Sequence, residues 1–201
     1  MDVISRIFAI ILFILLFPAI LIIAFLNFIF NGSPIIFKQE RYGYNLKSFW
    51  LYKFRTMVPN EGEKISSLED SRITSFGRVL RKSKLDEIPQ LFNIIKGDMR
   101  FIGPRPEVKE YFDKNDFYFL KSIKPGISCF ASILFRDEAK ILYHIGGENP
   151  YLNILNVKIE LAIYYAEKKS FLLDLKLIFY TILSIFFSRF ASSLLLKTLP
   201  L

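Results

Sequence analysis

The chain has 201 residues, room for one compact domain plus a membrane segment. With 52% hydrophobic and 23% charged residues it is too apolar for an average soluble protein and too charged for a bundle of spanning helices. Lys and Arg number 27 against 19 Asp and Glu, and the resulting +8 favours anionic lipid headgroups, phosphorylated substrates or nucleic acid.

Residues 7–30 carry no charge and only one clearly polar side chain, Asn27. At about 1.5 Å per residue a straight helix over this run reaches roughly 36 Å, enough for a hydrocarbon core of about 30 Å. The run is long and has no small-residue cleavage site before Asn31, which argues against a cleaved signal peptide. Pro18 lies at its centre, where it removes a backbone hydrogen bond and can kink the helix. Two outcomes stay open: a bent helix that spans, or a re-entrant hairpin with both ends on one face. Arg6 before the run and Lys38 and Arg41 after it give no decisive orientation.

Asn31-Gly32-Ser33-Pro34 is a turn signal that ends this segment. The stretch 35–57 interleaves aromatic and basic residues, and Tyr42, Tyr44, Trp50 and Tyr52 suit a headgroup interface. Alternation in FWLYKFRT would place Lys53 and Arg55 on one strand face, either as a phosphate-facing basic edge or as snorkelling side chains. Residues 58–71 are polar and turn-rich and read as a mobile surface loop. A basic run follows, with Arg72, Arg78, Arg81, Lys82 and Lys84 leading into Asp86-Glu87.

The stretch 83–107, SKLDEIPQLFNIIKGDMRFIGPRPE, carries the chemistry. Leu85, Ile88, Leu91, Phe92 and Ile95 recur at helical spacing, and Gly97 stands where a helix C-cap belongs. In Gly103-Pro104-Arg105-Pro106 each proline fixes its own φ and biases the residue before it, so the arginine between them is restrained. Paired carboxylates beside a positioned arginine suit a metal-assisted reaction on a phosphate. A structural alternative exists for the same residues: Ser83-Lys84-Leu85-Asp86 fits a capping box in which Asp86 only satisfies backbone N–H groups.

Beyond Glu107 a short helix is expected around VKEYF, then a turn at Lys124-Pro125-Gly126. Arg136-Asp137-Glu138 is either a nucleotide contact or a capped helix start. The uncharged run Leu177–Ser188 is only 12 residues long, short for a span and suited to an interfacial or buried helix. The lone Cys129 excludes an internal disulfide and fits a reducing compartment, and the lone His144 excludes a multi-histidine metal site and reads as a loop residue. No recognised nucleic-acid motif accompanies the basic residues.

The motifs LDEIPQL, Gly97-Asp98 and GPRPE, with YKFRTM at 52–57, Ile73-Thr74, Gly77 and Arg81, resemble the signature of the bacterial sugar transferases, the monotopic phosphoglycosyl transferases. Phe17-Pro18 stands where that family usually has Ser-Pro, and Ser128 where it has threonine. The resemblance implies an α+β, mostly helical fold. A Pro-broken re-entrant membrane helix (1–33) would precede a cytosolic catalytic domain with interfacial amphipathic helices (34–201). It implies transfer of a sugar-1-phosphate from a UDP-sugar to polyprenyl phosphate with release of UMP, as the first membrane step of glycan assembly. On this resemblance Asp86 is the nucleophile and Glu87 the Mg²⁺ ligand, with Asp86 also at the metal as a second ligand. Arg105, Arg81, Lys53 and Arg55 stabilise phosphate charge, and Arg136 matches a subgroup variant of a nucleotide-contacting region. The implied location is the cytoplasmic face of the bacterial inner membrane, with downstream glycosyltransferases consuming the product. The alternatives are a non-covalent ternary-complex route and a non-catalytic lipid-phosphate binding module.

Overall fold

The computed structural model describes residues 2–58, 70–112, 117–146 and 150–199. They form nine α-helices and four strands, mostly helical with two small sheets, in agreement with the expected α+β class. The chain divides into two compact units: residues 1–41 with 48–98, and residues 42–47 with 99–201. The expected division at residue 33 follows a membrane boundary; compactness instead groups the apolar N-terminal helix with the acidic pair.

In the first unit, helix α1 (Asp2–Asn31) runs unbroken through Pro18, and most of its surface is exposed apolar side chain. Ala9, Ile23 and Asn27 are its buried residues. Near its start, Arg6 lies so close to Gly97 that a Cβ there would overlap its guanidinium. Ile23 packs with Phe54 and Leu80, supported by Ile20, Ala24 and Ile88. At its end a polar knot forms. Asn27 Nδ2 donates to Ile35 O at 3.1 Å, Asn31 Nδ2 donates to Asn27 Oδ1 and to Arg55 O, and the Arg55 guanidinium donates to Asn31 O and Ser33 O. A cation on the last carbonyls of a helix satisfies orphan acceptors and complements the macrodipole.

Strands β1 (Ile36–Tyr42) and β2 (Ser48–Phe54) pair as one two-stranded sheet. Helix α2 (Ser75–Ser83) begins on Thr74, whose hydroxyl accepts from Gly77 N, and ends on Lys84 at φ +61. A left-handed lysine there reverses the chain into a single 3₁₀ turn, Leu85–Glu87. Helix α3 (Gln90–Lys96) follows and ends on Gly97 at φ +89, the expected C-cap. Fully buried Asn93 fastens α3 to the edge of β2: its Nδ2 donates to Trp50 O at 2.6 Å and its Oδ1 accepts from Tyr52 N at 3.2 Å. Leu91 and Ile94 are buried, whereas Phe92 and Leu85, expected on the apolar face, are exposed. The 3₁₀ turn winds at three residues per turn, so one 3.6-residue period does not carry from 85 to 95.

In the second unit, β3 (Arg100–Ile102) pairs in parallel with β4 (Gly126–Ser128), Arg100 opposite Gly126 and Ile102 opposite Ser128. Gly103 and Gly126 allow this: a Cβ on either would collide with the backbone of the other segment. Helices α4 (Lys109–Phe112), α5 (Phe130–Leu134), α6 (Glu138–Ile145), α7 (Pro150–Lys168), α8 (Phe171–Phe186) and α9 (Ser188–Leu196) complete the unit, with α5 and α8 packed on the pair. The core joins Ile102, Phe130, Ile133, Leu161, Leu177 and Leu195. In the C-terminal region the helix expected over Leu177–Ser188 stops at Phe186 within α8, and the separate α9 completes the region. Its exposed side carries Leu172, Phe179, Phe186 and Phe190. His144 lies in α6 rather than in a loop. The expected surface loop falls almost wholly on residues 59–69, outside those described.

Candidate active site

Asp86 sits in the 3₁₀ turn between α2 and α3, only 6% exposed. The capping-box alternative does not form: no side-chain cap bond occurs at that turn, and Ser83 Oγ instead donates back to Val79 O and Leu80 O. Asp86 Oδ1 is buried without any hydrogen-bond partner. Of the four such side-chain atoms among the described residues it is the one carboxylate oxygen, an acceptor open to a cation or a donor. Burial pushes the Asp86 carboxyl above the usual carboxylate range and the Glu87 charge pushes the same way, while Lys53, Lys84 and Arg81 pull it down.

Around it, Lys53 Nζ pairs with Glu87 Oε1 at 2.8 Å, which ties β2 to the acidic turn. Arg81 is half-buried on α2; its Nε donates to Thr56 Oγ1 at 2.9 Å and its Nη2 approaches Met57 Sδ at 3.0 Å. Thr56 and Met57 are therefore the anchors of this arginine, a role that the YKFRTM motif gave no way to separate from Lys53 and Arg55. The structure thus gathers Asp86, Glu87, Lys53, Arg81 and Lys84 in the first unit. Arg55 does not join Lys53 at the acidic turn: it follows the end of β2 and its guanidinium donates to Asn31 O and Ser33 O at the end of α1. Arg72 is likewise paired, with Asp70 at 2.6 Å.

Among the described residues no cluster of three or more His, Cys, Asp or Glu could hold a metal ion. The two carboxylates of Asp86-Glu87, one with an orphaned oxygen, fit a hard cation such as Mg²⁺. That ion is commonly held by one or two carboxylates, with water and substrate phosphates completing its shell.

In the second unit Arg105 is half-buried between flanks pinned on both sides. Gly103 N donates to Ser128 O at 3.0 Å and Gly126 N to Pro104 O at 2.9 Å. Tyr42 N donates to Glu107 O at 2.9 Å, and the Tyr151 hydroxyl donates to Glu107 Oε1 at 2.6 Å. The restrained arginine expected from the two prolines is therefore present. Arg136 donates to Ser184 Oγ at 3.3 Å, immediately before α6, which begins at Glu138.

The family described as bacterial sugar transferase matches residues 1–188 of this chain. The chain belongs to the bacterial sugar transferase family. Its relatives in this family include the UDP-N-acetylgalactosamine-undecaprenyl-phosphate N-acetylgalactosaminephosphotransferase of Aeromonas hydrophila. That protein is 36% identical over 193 residues, covering 92% of this chain and 42% of the relative. The uncharacterized sugar transferase EpsL of Bacillus subtilis (strain 168) is 38% identical over 164 residues, 79% of this chain and 73% of the relative. The UDP-glucose:undecaprenyl-phosphate glucose-1-phosphate transferase of Escherichia coli (strain K12) is 30% identical over 191 residues, 91% of this chain and 39% of the relative. The chain thus spans well under half the length of the two relatives named for a donor sugar, and most of EpsL.

Proposed function

We propose that this sugar transferase moves a sugar-1-phosphate from a UDP-sugar to polyprenyl phosphate through a covalent phosphosugar on Asp86. One observation carries this reading: a buried carboxylate with an unpartnered oxygen, set among Lys53, Lys84 and Arg81. An Asp86 oxygen attacks the sugar-linked phosphorus; the bond from that phosphorus to the bridging oxygen breaks, and its electron pair leaves on UMP. A polyprenyl phosphate oxygen then attacks the same phosphorus, the bond to Asp86 breaks, and the carboxylate returns. Raised basicity makes Asp86 a better nucleophile once ionised, and the three cations favour that ionised form. Arg81, fixed through Thr56, and Arg105, fixed through its flanks, offset phosphate charge in their own units. Mg²⁺ bound at Asp86-Glu87 would supply further charge neutralisation on the diphosphate.

The test is UMP release from UDP-glucose and UDP-N-acetylgalactosamine by the full chain in nanodiscs containing polyprenyl phosphate. UMP is expected with at least one donor and is expected to fall to background with EDTA. Background release with both donors, metal present, would refute the reading for these sugars.

For topology the re-entrant form is the one we infer, with Pro18 bending a continuous helix where a Pro-broken hairpin was expected. Arg6 near one end of α1 and Asn31 at the other both rest on the same compact unit, an arrangement that fits both ends facing one side. The exposed apolar side chains between them fit insertion into one leaflet. Single cysteines at Val3 and Val58, in a Cys129→Ser background, are both expected to label only from the cytoplasmic side. Labelling of position 3 from the opposite side alone would establish a span.

A further inference from the structure

Helix α7 carries a charged residue where its spacing calls for an apolar one. Tyr151, Ile154, Leu155, Lys158, Leu161 and Tyr165 form its buried stripe, and Lys158 is only 6% exposed. Its Nζ lies 2.8 Å from Glu138 Oε2 on α6, within ion-pair distance though outside hydrogen-bond geometry, and 4.4 Å from the centre of the Tyr151 ring. The Tyr151 hydroxyl in turn donates a hydrogen bond to Glu107, which is 3% exposed. Burial and the charges of Glu107 and Glu138 keep the Tyr151 hydroxyl protonated, so it is the donor in that bond. Lys158 and Arg105 line one cavity of the second unit together with Pro104, Glu107 and Tyr165.

We propose that Lys158 is a positioning residue for Arg105, acting through the contact chain Glu138–Lys158–Tyr151–Glu107. The chain ends on the residue after Pro106, whose fixed φ makes the segment from Arg105 to Glu107 stiff. Whatever holds Glu107 therefore limits the backbone that carries Arg105. A core that needed only volume at position 158 would do as well or better with methionine, since a buried ion pair costs desolvation. A direct second contact to an anion is disfavoured by the Glu138 carboxylate already facing the ammonium. The proposal rests on Arg105 contacting a phosphate of the donor.

The test is a double-mutant cycle on the full chain in nanodiscs, read as the Kd for UDP, with Tm measured on each variant. Arg105→Ala is expected to weaken UDP binding, and Lys158→Met to weaken it roughly tenfold, within the range of coupling between residues of one network. In an Arg105→Ala background the Lys158→Met effect is expected to shrink to less than twofold. Lys158→Arg should recover most of the affinity, because it restores the charge beside Glu138. Should Lys158→Met fail to fold, Tyr151→Phe carries the same cycle, removing only the hydroxyl that reaches Glu107. A lowered Tm with unchanged Kd, or equal losses in both backgrounds, would overturn the positioning role while leaving Arg105 as a phosphate contact. Unchanged UDP binding in Arg105→Ala, or none by the wild type, would instead remove the phosphate reading itself, and the proposal with it.

Discussion

Asp86→Asn is expected to abolish turnover, with a loss of roughly 10⁴-fold or more, while raising Tm. The amide keeps the size of the carboxylate but has no anionic oxygen to attack phosphorus, and removing a nucleophile outright costs losses of this order. The stability gain follows from linkage. Burial and Glu87 raise the Asp86 pKa in the folded state above its unfolded value, so the folded chain holds that proton more tightly than the unfolded one. The stability from this proton is complete below the unfolded pKa and is lost as pH rises through the folded pKa. At neutral pH the ionised carboxylate is therefore a net cost to the fold. Asparagine removes that cost, and each kcal/mol recovered shifts Tm by about 2–4 °C for a chain of this size. Mg²⁺ at the acidic pair would favour the ionised carboxylate and offset part of that cost, so the two chains are compared without metal. Unchanged Tm in metal-free buffer would show that Asp86 is not a strained, buried acid.

Arg55→Met is expected to lower Tm by roughly 3–10 °C and to leave the affinity for UDP within twofold of wild type. The arginine is 6% exposed, and its guanidinium holds Ser33 O at 2.9 Å and Asn31 O, the carbonyls where α1 ends. Hydrogen bonds to a charged group contribute about 1.5–3 kcal/mol, partly offset here by relief of a buried cation. Thermal melting and UDP titration on one preparation check both halves. Lost UDP affinity with an intact Tm would return Arg55 to the phosphate site.

The legible parts of this protein were those whose physics is local. Gly97 as a C-cap, the turn after Asn31 and the restrained Arg105 all depend on backbone preferences of single residues. The acidic pair was legible too, because a carboxylate pair within a basic run has few purely structural uses. Pairings across the chain were not. Strands β3 and β4 are three residues each, too short for a period-2 pattern, and they pair across an intervening helix. Arg55 looked like its neighbour Lys53 because alternation was carried one residue past the end of β2. Lys158 was not singled out, although one signal was available: it stands seven residues after Tyr151 and three before Leu161, on the apolar stripe itself.

The covalent route is tested most directly by the intact mass of the protein after mixing with a UDP-sugar in the absence of polyprenyl phosphate. The account predicts a mass increase equal to one phosphosugar, UMP release approaching one equivalent, and an adduct that maps to Asp86 and vanishes on addition of polyprenyl phosphate. UMP that appears only when the lipid acceptor is present, with the protein mass unchanged at every time point, would contradict it.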